Sequence, residues 1–400
     1  MNWKKNKRMN RLQELIRELC PEGVEYKQLG DISDMQRGTA ITKKSITTGE
    51  IPVISGGKEP AYYCSQSNRQ GETITVAGSG AGAGFVNYWN EPIFVADAFS
   101  IKGADGVSTR YLYHCLLRVQ DKIYATQKGG GVPHVHISSI ENFQIPVPPM
   151  AVQREIVRIL DNFTELTAEL TAELTARKKQ YEYYRDKLLS FDNLIGAASS
   201  DIHWITLGKV ASFRNGKGHE RCISSDGKYI VVNSKFISTR GEVRKYSNEQ
   251  LCSLFRDDIL MVMSDLPNGR ALAKCFLVDE DETYTLNQRI GAFHTLDESV
   301  ITTKFLFYIL DRNRQLLKYD NGVDQTNLKK DEILNIDVPI PSIEIQNRMV
   351  YVLDNFDAIC SDLSIGLPAE IEARKKQYEY YRDTLLTFRQ KSQTDNSEVI

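Results

Sequence analysis

The residues that could carry out chemistry are few, and each lacks the spacing its chemistry needs. The run G-S-G-A-G-A-G from Gly78 to Gly84 looks at first like a phosphate loop. A phosphate-cradling loop follows a strand and opens a helix. Here Phe85-Val86-Asn87-Tyr88-Trp89 follows, which reads as a strand, so the run predicts a hairpin or loop whose bare backbone can approach a ligand closely. No G-x-x-x-x-G-K-[ST] occurs. His134 and His136 would share one face of a strand, but no acidic or Cys residue stands near them, which favours hydrogen-bonding or structural histidines over metal ligands. Val147-Pro148-Pro149-Met150 lacks the polar residue and the aromatic that base-amino methyltransferases place around Pro-Pro. The seven cysteines are scattered and without a CxxC, as buried reduced thiols are. The sequence thus predicts no catalytic residue and no metal site.

What the chain does offer is polar loops. Arg, Lys, Asn, Gln, Ser and Gly pair with base edges and phosphates, and they recur between strand-like runs. In the first half these are Gly57, Lys58, Arg69, Ser79, Gly80, Lys128, Gly130, His134 and His136. Their second-half counterparts are Arg214, Asn215, Lys217, Lys235, Asn268, Arg270, Gln288, Arg289, Gln325, Asn327 and Lys329. Gln127-Lys128 with the glycines from Gly129 forms the strongest group, and Asp324 to Asn327 occupies the equivalent place. Ordinary loop solvation stays open for every one. A net charge of -2 leaves the question to the local field.

The elements that would position these loops come as a repeat. At 400 residues, 41% hydrophobic and 26% charged, the chain suits a soluble protein of two or three folding units. Met1 to Asn10 leads into an amphipathic stretch rather than a signal-peptide core, so a cytoplasmic protein is expected. V-E-Y-K-Q-L-G-D-I from Val24 and I-H-W-I-T-L-G-K-V from Ile202 open two segments, each reaching a glycine at an equivalent place, Gly38 and Gly216. Each segment closes on a Pro-bearing strand, I-P-V-P-P from Ile145 and V-P-I-P from Val338, followed at once by a helical pattern. Both helices carry A-R-K-K-Q-Y-E-Y-Y-R-D, from Ala176 and from Ala373. On the second, Ile345, Met349, Val352, Phe356, Ile359 and Leu363 alternate four and three like a coiled-coil seam, until Gly366-Leu367-Pro368 breaks it. The expected boundaries are an N-terminal helix over 1–23, mixed segments over 24–149 and 193–341, helical regions over 150–192 and 342–390, and a disordered tail over 391–400.

The Pro-closed segments, the helix-start glutamines Gln153 and Gln346, the twin L-D-N-F strings at Leu160 and Leu353, and the duplicated helix resemble the specificity subunit of type I restriction-modification systems. The tandem T-A-E-L from Thr167 to Thr175 looks like the central spacer repeat of one subgroup. The resemblance implies an α+β chain with two mixed target recognition domains, an antiparallel coiled coil between them and a pseudo-twofold internal repeat. It implies double-stranded DNA as ligand, two methyltransferase subunits docked on the helices and a motor-nuclease (restriction) subunit. No cofactor is expected in this chain; S-adenosylmethionine, ATP and Mg2+ belong to the partners. Partner docking falls to Arg177, Lys178, Lys179, Arg185, Arg374, Lys375, Lys376 and Arg382, which face outward if Tyr181, Tyr184, Tyr378 and Tyr381 line the seam. The rivals are a stand-alone DNA-binding scaffold, and an enzyme with its own site, against which the missing motifs count.

Overall fold

The computed structural model describes residues 2–41, 48–191, 202–267, 270–361 and 366–391. After helix α1 (Asn2–Leu19) the first segment runs β1 (Tyr26–Gln28), β2 (Ser33–Arg37), β3 (Ile51–Ile54), β4 (Tyr62–Cys64), β5 (Thr73–Ala77), β6 (Val86–Trp89), β7 (Phe94–Val95) and β8 (Ala98–Gly103). Then come α2 (Thr109–Arg118), α3 (Gln120–Ala125), α4 (Ile137–Ile140), β9 (Gln144–Pro146) and the long α5 (Met150–Leu189). The second segment runs β10 (His203–Thr206), α6 (Leu207–Val210), β11 (Ala211–Asn215), β12 (Tyr229–Val232), α7 (Ser234–Ser238), β13 (Tyr246–Ser247), β14 (Ile259–Val262) and β15 (Ser264–Asp265). It continues with β16 (Cys275–Leu277), β17 (Tyr284–Leu286), β18 (Ile290–Thr295), α8 (Thr303–Leu310), α9 (Arg314–Leu317), β19 (Thr326–Asn327), α10 (Lys330–Leu334) and β20 (Asp337–Ile340). Helices α11 (Ile343–Ser361) and α12 (Leu367–Leu385) follow.

The repeat read from short strings is a repeat of topology. The first segment has a four-stranded sheet β2-β8-β5-β6 and a three-stranded sheet β4-β3-β7; the second has β11-β18-β14-β16 and β13-β12-β17. In each small sheet one pair is parallel, β3 with β7 and β12 with β17. Each opening strand pairs antiparallel with its Pro-bearing closing strand, β1 with β9 and β10 with β20. Proline is tolerated there because two-stranded ladders leave edges free of a second partner. Central strands β5 and β14 are buried along their whole length, which their apolar and Thr side chains allow. The glycines at the two equivalent places are forced by close approach: a Cβ on Gly38 would lie 2.1 Å from Ala96 O, and one on Gly216 2.0 Å from Asn287 O.

The chain divides into two compact units, Met1–Glu173 with Leu367–Ile400, and Leu174–Gly366. The first therefore contains the string of the C-terminal helix, and the second the string of α5. In the first unit the residues after α12 rejoin the start of the chain: Val24 N donates to Arg389 O at 2.8 Å, and Lys391 N to Val24 O at 3.0 Å. Beyond 391 the expected disordered tail lies outside the described residues.

Each long helix begins at the expected strand-to-helix junction. Helix α5 is unbroken for 40 residues, a rod of about 60 Å; its Ala, Leu and Glu-rich T-A-E-L tract has high helix propensity. Its buried residues end at Phe163. Of the apolar seam expected on the second helix, Met349 is buried and Ile345 and Phe356 are half-buried, the other inward places fall one residue further on, and Leu363 lies outside the described residues. Gln346, Met349, Leu353 and Cys360 are buried, while Val352 and Ile359 are 38% and 47% exposed. A polar Gln and a small Cys occupy inward positions that an apolar pattern passes over.

Candidate nucleic-acid interface

Three first-unit loops meet at one place. Ser79 and Lys128 each bridge to His134, Gly80 N donates to Pro133 O at 3.0 Å, and Val135 N to Gly78 O at 3.0 Å. A Cβ on Gly56 would fall 2.1 Å from Ser79 O, so the 55–58 loop lies directly against the glycine run. Gly57, Lys58, Lys128, Gly130, His134 and His136 are exposed, and Ser79 and Gly80 half-buried. Lys58 Nζ sits 5.3 Å from the Phe85 ring centroid, and the His134 and His136 imidazoles stack with centroids 6.2 Å apart. Gly130 has open space where a Cβ would be.

Arg69 is placed differently. Its guanidinium donates to Ser100 Oγ, Asn68 O and Arg37 O at 2.7, 2.7 and 3.0 Å, which ties loop to sheet. In the second unit Arg214 is likewise committed, to Asp258 Oδ2 at 2.6 Å and Ser253 O at 3.2 Å. The other second-unit loops converge. Lys217 N donates to Leu286 O, Asn287 N to Val232 O, Met263 N to Arg289 O and Leu328 N to Met263 O. Strands β15 and β19 pair where the first unit has its Ser79 to His134 bridge. Asn215, Lys217, Lys235, Arg270, Gln288, Arg289, Gln325, Asn327 and Lys329 are all exposed around this seam. Asn268 lies outside the described residues. The two loop clusters thus share a backbone plan and differ in side chains.

The repeated strings sit in equivalent settings. In the first unit Arg382 donates to Leu117 O at 3.1 Å, near the C-terminal end of α2, Tyr378 OH meets His114 Nδ1 at 2.9 Å, and Tyr381 stacks on Phe163. In the second Arg185 pairs with Asp311, the C-cap of α8, at 3.3 Å, and Tyr184 lies 6.3 Å from Phe356. A cation at a helix C-terminus meets its exposed carbonyls and the negative end of its dipole. The carboxyl of Asp311 is nonetheless held above its usual range by burial, against the pull of Arg185 and Arg240.

Those contacts correct part of the outward set. Arg185 and Arg382 are inward, their side chains 13% and 15% exposed. Arg374 is half-buried and paired with Glu370 at 3.0 Å. Arg177, Lys178, Lys179, Lys375 and Lys376 are exposed as expected. Tyr184, expected in the seam, is 42% exposed.

The profile of the type I restriction modification DNA specificity domain matches residues 21–177 and 200–373, one copy over each segment with its following helix. The chain belongs to that family. A type I restriction enzyme specificity subunit from Escherichia coli is 29% identical over 91% of this chain and 94% of its own length. A putative type I restriction enzyme specificity subunit from Haemophilus influenzae is 28% identical over 91% and 96%. The crystal structure of a type I restriction-modification S subunit from M. genitalium has the same fold at 20% identity, covering 91% of this chain and 95% of that one with a TM-score of 0.52. A chain from a structural study of complex assembly and conformational transition in a type I system aligns with a TM-score of 0.57 at 16% identity, over 91% and 97%.

A reading built on polar residue types overlooks part of this specificity subunit's loop surface. Val132, Leu266 and Val323 are 53%, 67% and 74% exposed within the same loops, and aliphatic groups in such positions can contact thymine methyls. An aliphatic residue isolated among Gly, Pro, Asn and Asp is the only sequence signal they give. All seven cysteines are free thiols.

Proposed function

We propose that this specificity subunit is the non-catalytic reader of its assembly. Each recognition domain reads one half of an asymmetric bipartite DNA site, and the helical regions carry two copies of an adenine methyltransferase subunit, with a motor-nuclease subunit joining for restriction. The observation that carries the reading is the mismatch between scaffold and loops. Two units repeat one topology and one eleven-residue helix string, yet present different loop side chains. Repeated helix surfaces suit two copies of one partner, and different loops suit two base sequences. The stacking of Phe163 on Tyr381 in one unit, and the approach of Tyr184 to Phe356 in the other, support an antiparallel pairing of the long helices. Methyl donor binding belongs to the methyltransferase, and ATP and Mg2+ to the motor subunit; the assembly is cytoplasmic.

Counterion release scales with the phosphates that Lys and Arg neutralise, so tight DNA binding by the assembly draws on partner cations in addition to the loop cations of this chain. Purified chain incubated with DNA and labelled S-adenosylmethionine should transfer no methyl group alone, and should direct site-specific methylation once the methyltransferase is added. Methylation by the chain alone would make it an enzyme. Tight specific binding with no effect of any methyltransferase would make it a free-standing scaffold.

A further inference from the structure

Two glutamines stand where a helix should have an apolar residue. Gln153 and Gln346, each in the first turn of a long helix, are 0% exposed. A buried amide is costly unless every polar atom is paired. In both, every polar atom is paired, and in the same way. Gln153 Oε1 accepts from Ser108 N at 2.9 Å, while its Nε2 donates to Gly106 O at 2.9 Å and Pro148 O at 2.8 Å. Gln346 Oε1 accepts from Thr302 N at 2.8 Å, while its Nε2 donates to Val300 O and Pro341 O, both at 2.9 Å. Ser108 and Thr302 are the N-caps of α2 and α8, the helices that underlie each recognition domain. Each glutamine therefore joins three points: the base of the rod helix, the Pro-bearing exit of the domain, and the start of the domain's own helix.

A second tie lies two turns further along. Asp161 accepts from Arg110 Nε at 2.8 Å and meets His114 Nε2 at 2.9 Å; Asp354 accepts from Lys304 Nζ at 2.6 Å and Tyr308 OH at 2.7 Å. The aspartates are the same in both units and their partners differ, whereas the glutamine bonds are all to backbone. Backbone partners let one glutamine serve any domain sequence.

We propose that Gln153 and Gln346 are positioning residues: each fixes the angle at which a recognition domain is carried on its rod helix, and thereby restricts the assembly to one gap between half-sites. The inference rests on the bipartite reading above. If packing were all that mattered, Leu or Met would fill the site without needing three aligned partners.

The test uses the full chain assembled with its methyltransferase. Methylation rates are measured on duplexes carrying the native gap and gaps one base pair shorter and longer, and binding is measured on duplexes carrying a single half-site. Q153M and Q346M, and the near-isosteric Q153E and Q346E that lose both donated bonds, should each reduce the preference for the native gap by about tenfold, equivalent to roughly 1.4 kcal/mol. Half-site binding should stay within about twofold. Unchanged gap preference in a cooperatively folding variant overturns the proposal, and so does loss of half-site binding in step with gap preference, which marks general damage. A wild-type complex indifferent to gap length would sink the bipartite reading instead. Hydrogen exchange in the unmutated complex gives a check independent of folding variants: the Ser108 and Thr302 amides should exchange among the slowest, and loop-like exchange there refutes the clamp.

Discussion

Deleting one T-A-E-L block, Thr167 to Leu170, should shorten the unread gap between half-sites by about one base pair. The tract suits the experiment because the buried residues of α5 end at Phe163, and no residue from 164 to 180 is buried. The division between compact units also falls inside it, between Glu173 and Leu174. Removing four residues there takes away no fully buried side chain, so both units should still fold cooperatively. The geometric change is large: the rod loses about 6 Å, and its far end turns by a net angle of roughly 40°. One B-DNA base pair advances about 3.4 Å and turns about 35°. The angles nearly match, and a rod tilted to the DNA axis reconciles the lengths. The assay is methylation of duplexes in which only the gap varies, with optimum expected one base pair shorter for one deletion and two for both blocks. Removing three residues instead turns the end by about 60° in the opposite sense, out of phase with any whole base pair, and should depress methylation at every gap. An optimum that stays at the native gap after the four-residue deletion, with full activity, would show that α5 is no ruler.

Exchanging the first recognition segment for an unrelated one should change one half-site only; methylation sequencing that finds both halves altered contradicts the modular reading. R185A should destabilise the second unit by about 1–3 kcal/mol, because Asp311 loses its ion-pair partner while keeping the hydrogen bond from Cys275 N and the field of Arg240. K178E/K179E should leave denaturant midpoints unchanged while costing the complex a methyltransferase copy, as native mass measurement would show. Burial pushes the His114 imidazole below its usual pKa, against the hydrogen bond to Asp161. The unfolded chain then takes up the proton first, so stability falls as pH drops through about 6.5 and levels off below the folded-state value. H114Q should show a shallower loss between pH 7.5 and 5.5 by thermal unfolding, and equal slopes would discount the imidazole. G38A and G216A should each cost roughly 1–3 kcal/mol, because the new methyl meets backbone carbonyls that cannot move aside cheaply.

The duplication was legible in the sequence because it rests on exact strings and on prolines whose backbone restriction holds wherever they occur. The glycines at 38 and 216 were legible for the same reason. Loop convergence was partly so: residue type marked which segments face outward, but bringing 55–58, 78–84 and 128–136 together requires strand order, which no local pattern carries. The misplaced arginines show another limit. Arg185 and Lys178 look alike in a helical string, yet only Arg185 meets Asp311, more than a hundred residues away in sequence. The partial shift of the seam has the same origin. Gln346 takes an inward place because backbone partners from another element satisfy it, and hydropathy cannot register a bond not yet made.

The mixed ancestry of the first unit sets an order on its biosynthesis. Its recognition segment and the start of α5 leave the ribosome early, but the string that supplies Tyr378, Tyr381 and Arg382 belongs to the last helix made. At about 5–20 residues per second the earlier part waits roughly 10–40 s for that helix, with the surface it will cover still exposed. The second unit has no such wait, since its string precedes its recognition segment and α11 follows directly. A released chain truncated before residue 367 should therefore hold a finished second unit and an unfinished first one. The half translated first would be the half most dependent on chaperones.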